Sequence, residues 1–156
     1  MDKSLESMLD MFLFETLQLI EQLEQDILSN EKTNYINTSS INEVFRIMHT
    51  IKGSAAMMRL DDIANLAHAV EDLFFYLRED KPQNVSYSGL CDIILASIDF
   101  IKNEISKLEN NQISDGNAIE LIEEISKYLS LLKSNNSDSI DKSQENTPVK
   151  KVKYKA

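Results

Sequence analysis

Apolar residues recur at intervals of three and four along most of this chain, which is the spacing of one face of an α-helix. Polar stretches separate five such segments, whose apolar stripes begin near Leu5, Ile41, Asp61, Leu90 and Ile119. The sequence contains no alternating strand pattern of useful length and no internal repeat. The pattern therefore predicts an all-α fold.

The first predicted helix covers roughly residues 5–28 and contains an apolar patch, MFLF, at Met11–Phe14. This patch is apolar around more than one face of the helix, so it either packs against two neighbouring helices or meets another chain. We expect the first arrangement. The polar stretch after this helix ends in Ser40-Ile41-Asn42-Glu43, a capping box that predicts the start of the second helix at Ser40.

The second and third predicted helices carry the candidate functional residues. On a wheel of about 100° per residue, His49 lies about 110° from the centre of the apolar stripe of the second helix, and Gly53 about 150°. Lys52 falls nearer the apolar border. On the third helix, which Asp61 is predicted to cap, His68 and Glu71 share a flank that is predicted to be less buried than the main stripe. If the two helices form an antiparallel hairpin, this flank can face His49.

Composition changes near residue 134, and the sequence divides there. Residues 1–134 are predicted to form one helical domain with its own hydrophobic core. Residues 135–156 are rich in Ser, Asn, Asp and Lys and end in TPVKKVKYKA. We predict that this segment is a disordered polar or basic tail, or a linker.

Composition also excludes several functions. The three glycines, Gly53, Gly89 and Gly116, lie too far apart for a phosphate-cradling loop. A formal net charge of -10 argues against nucleic-acid binding, which needs a basic surface. No apolar run is long enough to cross a membrane. The single cysteine, Cys91, lies on an apolar stripe as a small core residue, which fits a reducing cytoplasm.

His49, Lys52 and Gly53 lie close together on one helix, and few structural roles require that trio. A nucleophilic histidine exposes one ring nitrogen, has the other held as N–H by an acceptor, and needs positive charge near an incoming anion. Glu71 can supply the acceptor and Lys52 the charge. Glycine inside an exposed helix costs about 1 kcal/mol relative to alanine, so Gly53 suggests a use.

Two stretches, FRIMHTIKGSAAMMRL and LAHAVEDLFFYLRE, resemble the histidine-containing phosphotransfer (Hpt) domain at the N-terminus of the chemotaxis histidine kinase CheA. The typical family pattern is His-Ser-Ile-Lys-Gly with His-x-x-Glu on the following helix. The matching residues are His49-Thr50-Ile51-Lys52-Gly53 and His68-Ala69-Val70-Glu71. The resemblance covers about residues 5–134 and implies an up-down bundle of four helices with a fifth packed alongside.

The resemblance also implies a role for each matching residue. His49 would accept a phosphoryl group on the ring nitrogen away from Glu71, and Glu71 would fix the tautomer through the other nitrogen. Lys52 would stabilise the phosphoryl oxygens, and His68 would tune the network. Gly53 would leave space for a docking partner.

The sequence departs from the family pattern in small ways at the motif. Thr50 replaces the usual serine and Ser54 the common second small residue, and neither change disturbs the implied chemistry. The dimerisation, ATP-binding and receptor-coupling domains of CheA and the aspartate-bearing pattern of a response regulator are absent from these residues. The resemblance therefore implies two partners: a histidine kinase ATP-binding domain that supplies ATP, and a response regulator receiver domain that brings its own Mg²⁺. It implies no cofactor bound by this chain.

Two alternatives belong to other classes. His49, His68 and Glu71 are suitable zinc ligands, although three ligands beside a lysine make a poor site. A catalytically inert helical adaptor, binding a partner through the MFLF patch or the tail, would carry no phosphohistidine. The sequence also leaves open whether the chain is a free-standing phosphotransfer protein or a fragment of a longer CheA-type kinase.

Overall fold

The computed structural model describes residues 3–30, 36–83 and 85–143, with residues 137–143 described as backbone only. These residues form five α-helices and no strand. In chain order the helices are α1 (Lys3–Asn30), α2 (Thr38–Met57), α3 (Asp61–Asp80), α4 (Tyr87–Glu109) and α5 (Ile119–Ser143).

The first four helices form an up-down bundle. Helix α1 packs against α2 and α4, and α3 packs against the same two helices on the opposite side of the bundle. Helix α5 lies outside this square, against α3 and α4. The predicted all-α architecture, four helices with a fifth alongside, is confirmed.

A single hydrophobic core fills the space between the helices. Its largest fully buried side chains come from all four bundle helices: Ile20, Leu23, Ile27, Met48, Ile51, Ile63, Leu66, Leu73, Phe74, Leu90, Ile94 and Ile98. Cys91 is buried at the edge of this core, as its apolar stripe predicts. Helix α5 contributes Ile125 and Leu132, which fits a helix packed on one side of the bundle.

Two helix starts differ from their predicted positions. The N-cap of α2 is Asn37, whose side chain accepts a hydrogen bond of 2.7 Å from the backbone N–H of Ser40. Ser40 is instead buried, and its hydroxyl accepts a hydrogen bond from Asn30 at the end of α1. Asp61 is the first residue of α3 rather than its cap, since the cap position belongs to Leu60.

Some residues of the predicted apolar stripes stay largely exposed in the part of the chain that the structure describes. In the MFLF patch, Phe12 and Leu13 are buried, but Met11 and Phe14 are 63% and 64% exposed. The expectation that the patch packs against two neighbours is therefore correct for only half of it. Ile119, which the stripe of the fifth helix includes, is also exposed, whereas Ala118 just before it is buried and donates a backbone hydrogen bond to Asp62 of α3.

Helix α5 continues past residue 134, where the bundle was predicted to end. Asn136 accounts for part of this extension. Its side-chain oxygen accepts a hydrogen bond of 2.9 Å from the backbone N–H of Gln83, and its amide donates to the carbonyl of Leu132 one turn earlier. Residues 135–143 are therefore helical, and the remainder of the predicted tail lies outside the described residues.

Glu104 organises the connection between α4 and α5. Its carboxylate is buried and accepts hydrogen bonds from Lys107, Ser114 and the backbone N–H of Gly116. A Cβ on Gly116 would lie 2.3 Å from Oε2 of Glu104, so the backbone approaches the carboxylate as closely as only glycine allows. This cluster fixes the direction in which α5 returns to the bundle.

Candidate functional site

The antiparallel pair of α2 and α3 holds the site. The turn between them is short because α2 ends at Met57 and Arg59 adopts a left-handed conformation, with φ of 60°. The backbone N–H of Leu60 then bonds to the carbonyl of Ala55, which closes the helix end. This tight reversal sets the register in which His49 on α2 faces Glu71 on α3.

His49 and Glu71 form the central contact of the site. Nδ1 of His49 is hydrogen-bonded to Oε2 of Glu71. The imidazole is 63% exposed, whereas the glutamate side chain is only 8% exposed. The flank that carries Glu71 was predicted to be less buried than the main stripe, yet Glu71 is itself a buried residue, while His68 on the same flank is exposed.

Lys52 contacts the second carboxylate oxygen. Its Nζ lies 2.7 Å from Oε1 of Glu71, and the two groups form an ion pair. Burial by itself raises the pKa of Glu71. The contacts with Lys52 and His49 outweigh burial, and the net effect holds that pKa below its ordinary value. Glu71 is therefore a carboxylate at neutral pH.

An ionised Glu71 decides which nitrogen of His49 can react. A carboxylate only accepts hydrogen bonds, so Nδ1 of His49 must be the protonated nitrogen in their bond. In the neutral ring the lone pair is then on Nε2. The site thus presents an exposed imidazole whose tautomer is fixed from the buried side, which is the arrangement of a histidine nucleophile.

The remaining motif residues of α2 lie within two turns of His49. Gly53 is exposed, and a Cβ built on it would meet none of the described residues within 4 Å. No contact within the described part of the chain therefore requires glycine there. Thr50 is exposed and donates a hydrogen bond to the carbonyl of Arg46, while Ser54 is half-buried beside the groove between α1 and α2.

His68 lies outside the cluster that His49, Lys52 and Glu71 form. Its Nε2 is 3.5 Å from Oδ1 of Asp72, one turn further along α3, and both side chains are more than half exposed. His68 and Glu71 are on the same helix, but His68 faces solvent where Glu71 faces α2. The structure thus brings together three of the four residues to which the sequence assigned catalytic roles.

Sequence reasoning missed one neighbour of His49. Phe45, one turn earlier on α2, was assigned only to the apolar stripe. Its ring is in fact half-buried and stacks on the imidazole, with centroids 6.2 Å apart and planes at 14°. The i, i+4 spacing was a signal available from sequence, but it predicts proximity and not the orientation of the two rings.

The zinc alternative gains no support from this geometry. Among the described residues, no three histidine, cysteine, aspartate or glutamate side chains are grouped to hold a metal ion. His49 and Glu71 bond to each other, and His68 pairs with Asp72. Over the same part of the chain, none of the helices combines the length and apolar character needed to cross a membrane.

Comparison with known proteins finds relatives that share this region. The chain is 35% identical to the chemotaxis protein CheA of Borreliella burgdorferi over 120 residues, which are 74% of this chain and 14% of the relative. It is 38% identical to CheA of Treponema pallidum over 103 residues, covering 65% of this chain and 12% of the relative. The sensor histidine kinase CheAY of Helicobacter pylori is 30% identical over 94% of this chain, which covers 18% of the kinase. The chain thus spans less than a fifth of each relative.

A solved structure and a family model agree with these relatives. The fold matches the phosphorylated P1 domain of CheA3 from R. sphaeroides, whose crystal structure is a complex with CheY6. The TM-score is 0.69 at 17% identity, and the match covers 81% of this chain and 98% of the P1 domain. The model of the Hpt domain family matches residues 7–111, which include α2, α3 and the His49–Glu71 pair. This chain belongs to the Hpt domain family, in the form found in CheA-type kinases.

Proposed function

We propose that His49 is the residue through which this Hpt domain carries a phosphoryl group. The observation that carries the proposal is the bond between the exposed imidazole and a buried, ionised Glu71, because it fixes the proton on Nδ1 and leaves Nε2 as the nucleophile. A surface histidine with no chemical role has no need of a buried carboxylate partner.

The proposed reaction has two steps. Nε2 of His49 attacks the γ-phosphorus of ATP held by a histidine kinase ATP-binding domain, and the bond from that phosphorus to the ADP oxygen breaks. The phosphorylated ring keeps its proton on Nδ1 and becomes cationic, and the carboxylate of Glu71 stabilises that charge. An aspartate oxygen of a response regulator then attacks the phosphorus, and the ring leaves as neutral imidazole.

Lys52 has two parts in this proposal. Its ion pair with Glu71 keeps the carboxylate ionised and in place. Because its side chain is still 33% exposed, the ammonium is also available to attract the phosphoryl oxygens as the donor approaches. In this proposal the partner domains supply ATP and Mg²⁺, and the reaction takes place in the cytoplasm.

The proposed partners rest on the relatives. CheA-type proteins supply the kinase, and the fold of this chain is that of a P1 domain that forms a complex with CheY6 in R. sphaeroides. The contact surface for both partners must include His49 and the exposed residues beside it. Gly53, where a Cβ would meet no described residue within 4 Å, leaves room for that approach.

Labelling with radioactive phosphate from ATP tests the assignment. A CheA-type kinase core is incubated with ATP, Mg²⁺ and the chain, and acid-labile phosphate is measured. His49→Gln should abolish labelling while circular dichroism stays unchanged. Glu71→Gln should slow labelling by at least about tenfold, because an amide lacks the charge that stabilises the cationic ring.

His68→Gln is the matched control for His49→Gln. The chain has two histidines, and this one pairs with Asp72 away from the cluster, so its loss should leave labelling near the wild-type rate. Undiminished labelling of His49→Gln would disprove the assignment. A wild-type chain that is never phosphorylated would favour the alternative of an inert helical adaptor.

A further inference from the structure

We propose that Phe45 is a positioning residue for the reaction, holding the plane of the His49 imidazole while Glu71 holds its Nδ1. The inference rests on the proposed function of His49 and adds a second restraint on its ring. It follows from the aromatic and cationic side chains that surround His49 on the exposed face between α2 and α3.

A single hydrogen bond does not fix the orientation of an imidazole ring. The bond from Nδ1 to Glu71 fixes one atom of the ring, but the ring can still pivot about the line that joins the two residues. Such a pivot moves Nε2, which lies on the far side of the ring. In-line attack on phosphorus needs the lone pair of Nε2 to point at the phosphorus, so a second restraint on the ring plane has a direct effect on the reaction.

Phe45 is placed to supply that restraint. Its ring lies nearly parallel to the imidazole, with 14° between the planes and 6.2 Å between the centroids. This is within the range of separations at which offset aromatic rings attract each other. The contact leaves most of the imidazole open to solvent, since the His49 side chain remains 63% exposed.

Phe45 is itself held from the neighbouring helix. The guanidinium carbon of Arg78 on α3 lies 4.2 Å from the centroid of the Phe45 ring, at cation–π distance. The same guanidinium is 5.6 Å from the centroid of Phe75, whose ring is 6.1 Å from that of Phe45. An ion pair with Glu79 holds the Arg78 side chain in turn. The Phe45 ring thus has partners on α3 that limit its own motion.

These contacts have no evident use in the core. Phe45 is half-buried and packs against the edge of the core, but Phe75 is 47% exposed, and the contacts of both rings with Arg78 lie on the surface side of that edge. Its position is one helical turn from the proposed phosphoacceptor. We infer that the cluster orders the imidazole of the free protein before any partner binds.

The test compares Phe45→Leu, which keeps an apolar side chain but removes the ring, with Phe45→Tyr, which keeps the ring. Phosphorylation is measured at increasing concentrations of each variant with a CheA-type kinase core, ATP and Mg²⁺. Phe45→Leu should lower kcat about tenfold at unchanged KM, as expected for a misdirected nucleophile. Phe45→Tyr should stay within about twofold of the wild type. Phe14→Leu, which changes an exposed phenylalanine on α1, should have no effect.

Nuclear magnetic resonance of the free protein gives a readout that does not depend on the kinase. The His49 ring protons should lose their ring-current shift in Phe45→Leu and keep it in Phe45→Tyr. The ¹⁵N signals should still show the proton on Nδ1 in both variants, because Glu71 is unchanged. This pattern separates control of the ring plane from control of the tautomer and from general unfolding.

Several results would overturn the inference while leaving the proposed function intact. One is wild-type kcat for Phe45→Leu, and another is a rise in its KM alone, which would make Phe45 a partner contact. An equal loss of kcat in Phe45→Tyr would show that the ring is not what matters. Failure of the proposed function looks different, because the wild-type chain would then not be labelled on His49 at all.

Discussion

Gly53 and Gly116 show how the same residue type serves opposite purposes. A Cβ on Gly53 would meet nothing within 4 Å, whereas a Cβ on Gly116 would lie 2.3 Å from a buried carboxylate oxygen of Glu104. Gly53 lies inside α2, and Gly116 lies in the connection between α4 and α5. The first glycine is therefore dispensable for the fold, and the second is required by it.

Alanine substitution at the two glycines should change stability in opposite directions. Gly53→Ala should raise the free energy of unfolding by about 0.5–1 kcal/mol, because alanine is the better helix former and clashes with nothing. Gly116→Ala should lower it by about 1–3 kcal/mol, because Glu104 is held by three donors and cannot move aside freely. Urea denaturation of the two variants measures both effects.

The same Gly53→Ala variant tests why glycine is used at that site. If Gly53 serves the approach of a partner, the stabilised variant should show a higher KM for phosphorylation than the wild type, with His49 chemistry otherwise intact. A variant that is more stable and equally well phosphorylated would remove Gly53 from the site. The sequence indicates that glycine at position 53 destabilises the helix relative to alanine. Only the structure shows that no contact with a described residue requires glycine there.

At the scale of elements, the starts of the helices were predicted less well than their existence. The sequence pattern Ser40-Ile41-Asn42-Glu43 has the form of a capping box, yet Asn37 caps α2 and Ser40 is buried. Both residues are good caps by type. The choice between them depends on Asn30 of α1, which donates a hydrogen bond to Ser40 and so draws that hydroxyl into the bundle. A contact between two helices cannot be read from the local pattern of one of them.

Removal of the Asn37 cap should weaken the fold by a measurable amount. Asn37→Ala deletes the oxygen that accepts from the backbone N–H of Ser40, and we expect a loss of about 1 kcal/mol. Ser39→Ala is the matched control, since Ser39 is exposed in the first turn of the same helix, and its change should stay within about 0.5 kcal/mol. Thermal and urea unfolding of the two variants compare these values. Equal effects would show that Asn37 does not act as the cap.

At the scale of the whole molecule, buried carboxylates tie stability to pH. Burial raises the pKa of Glu104, but its bonds to Lys107, Ser114 and the N–H of Gly116 outweigh burial and hold that pKa below its ordinary value of 4.5. The unfolded chain therefore binds a proton at Glu104 at a higher pH than the folded chain. The stabilisation is fully present above about pH 4.5 and is lost as the pH falls through the folded-state pKa. Glu71 contributes in the same direction.

We predict that the protein loses stability in acid and that Glu104→Gln makes this loss smaller. The free energy of unfolding of the wild type should fall as the pH drops below about 4.5, and Glu104→Gln should show a shallower fall. At neutral pH this variant should be less stable by about 2 kcal/mol, because it loses charge-assisted hydrogen bonds. Glu109→Gln, which changes an exposed residue near the end of α4, should follow the wild-type curve. A Glu104→Gln curve parallel to that of the wild type would contradict the prediction.

The amino-acid pattern alone predicts the helices, the core stripes and the residues His49, Lys52 and Glu71 of the site. Apolar spacing at three and four needs only local geometry, and the motif residues His49, Lys52 and Gly53 are neighbours on one helix whatever the rest of the chain does. The packing of α2 against α3 set what lies opposite these residues. It buried Glu71 against His49 and placed Arg78 of α3 over the Phe45 ring. These outcomes depend on the register and rotation of two packed helices, which the periodicity of either helix leaves free.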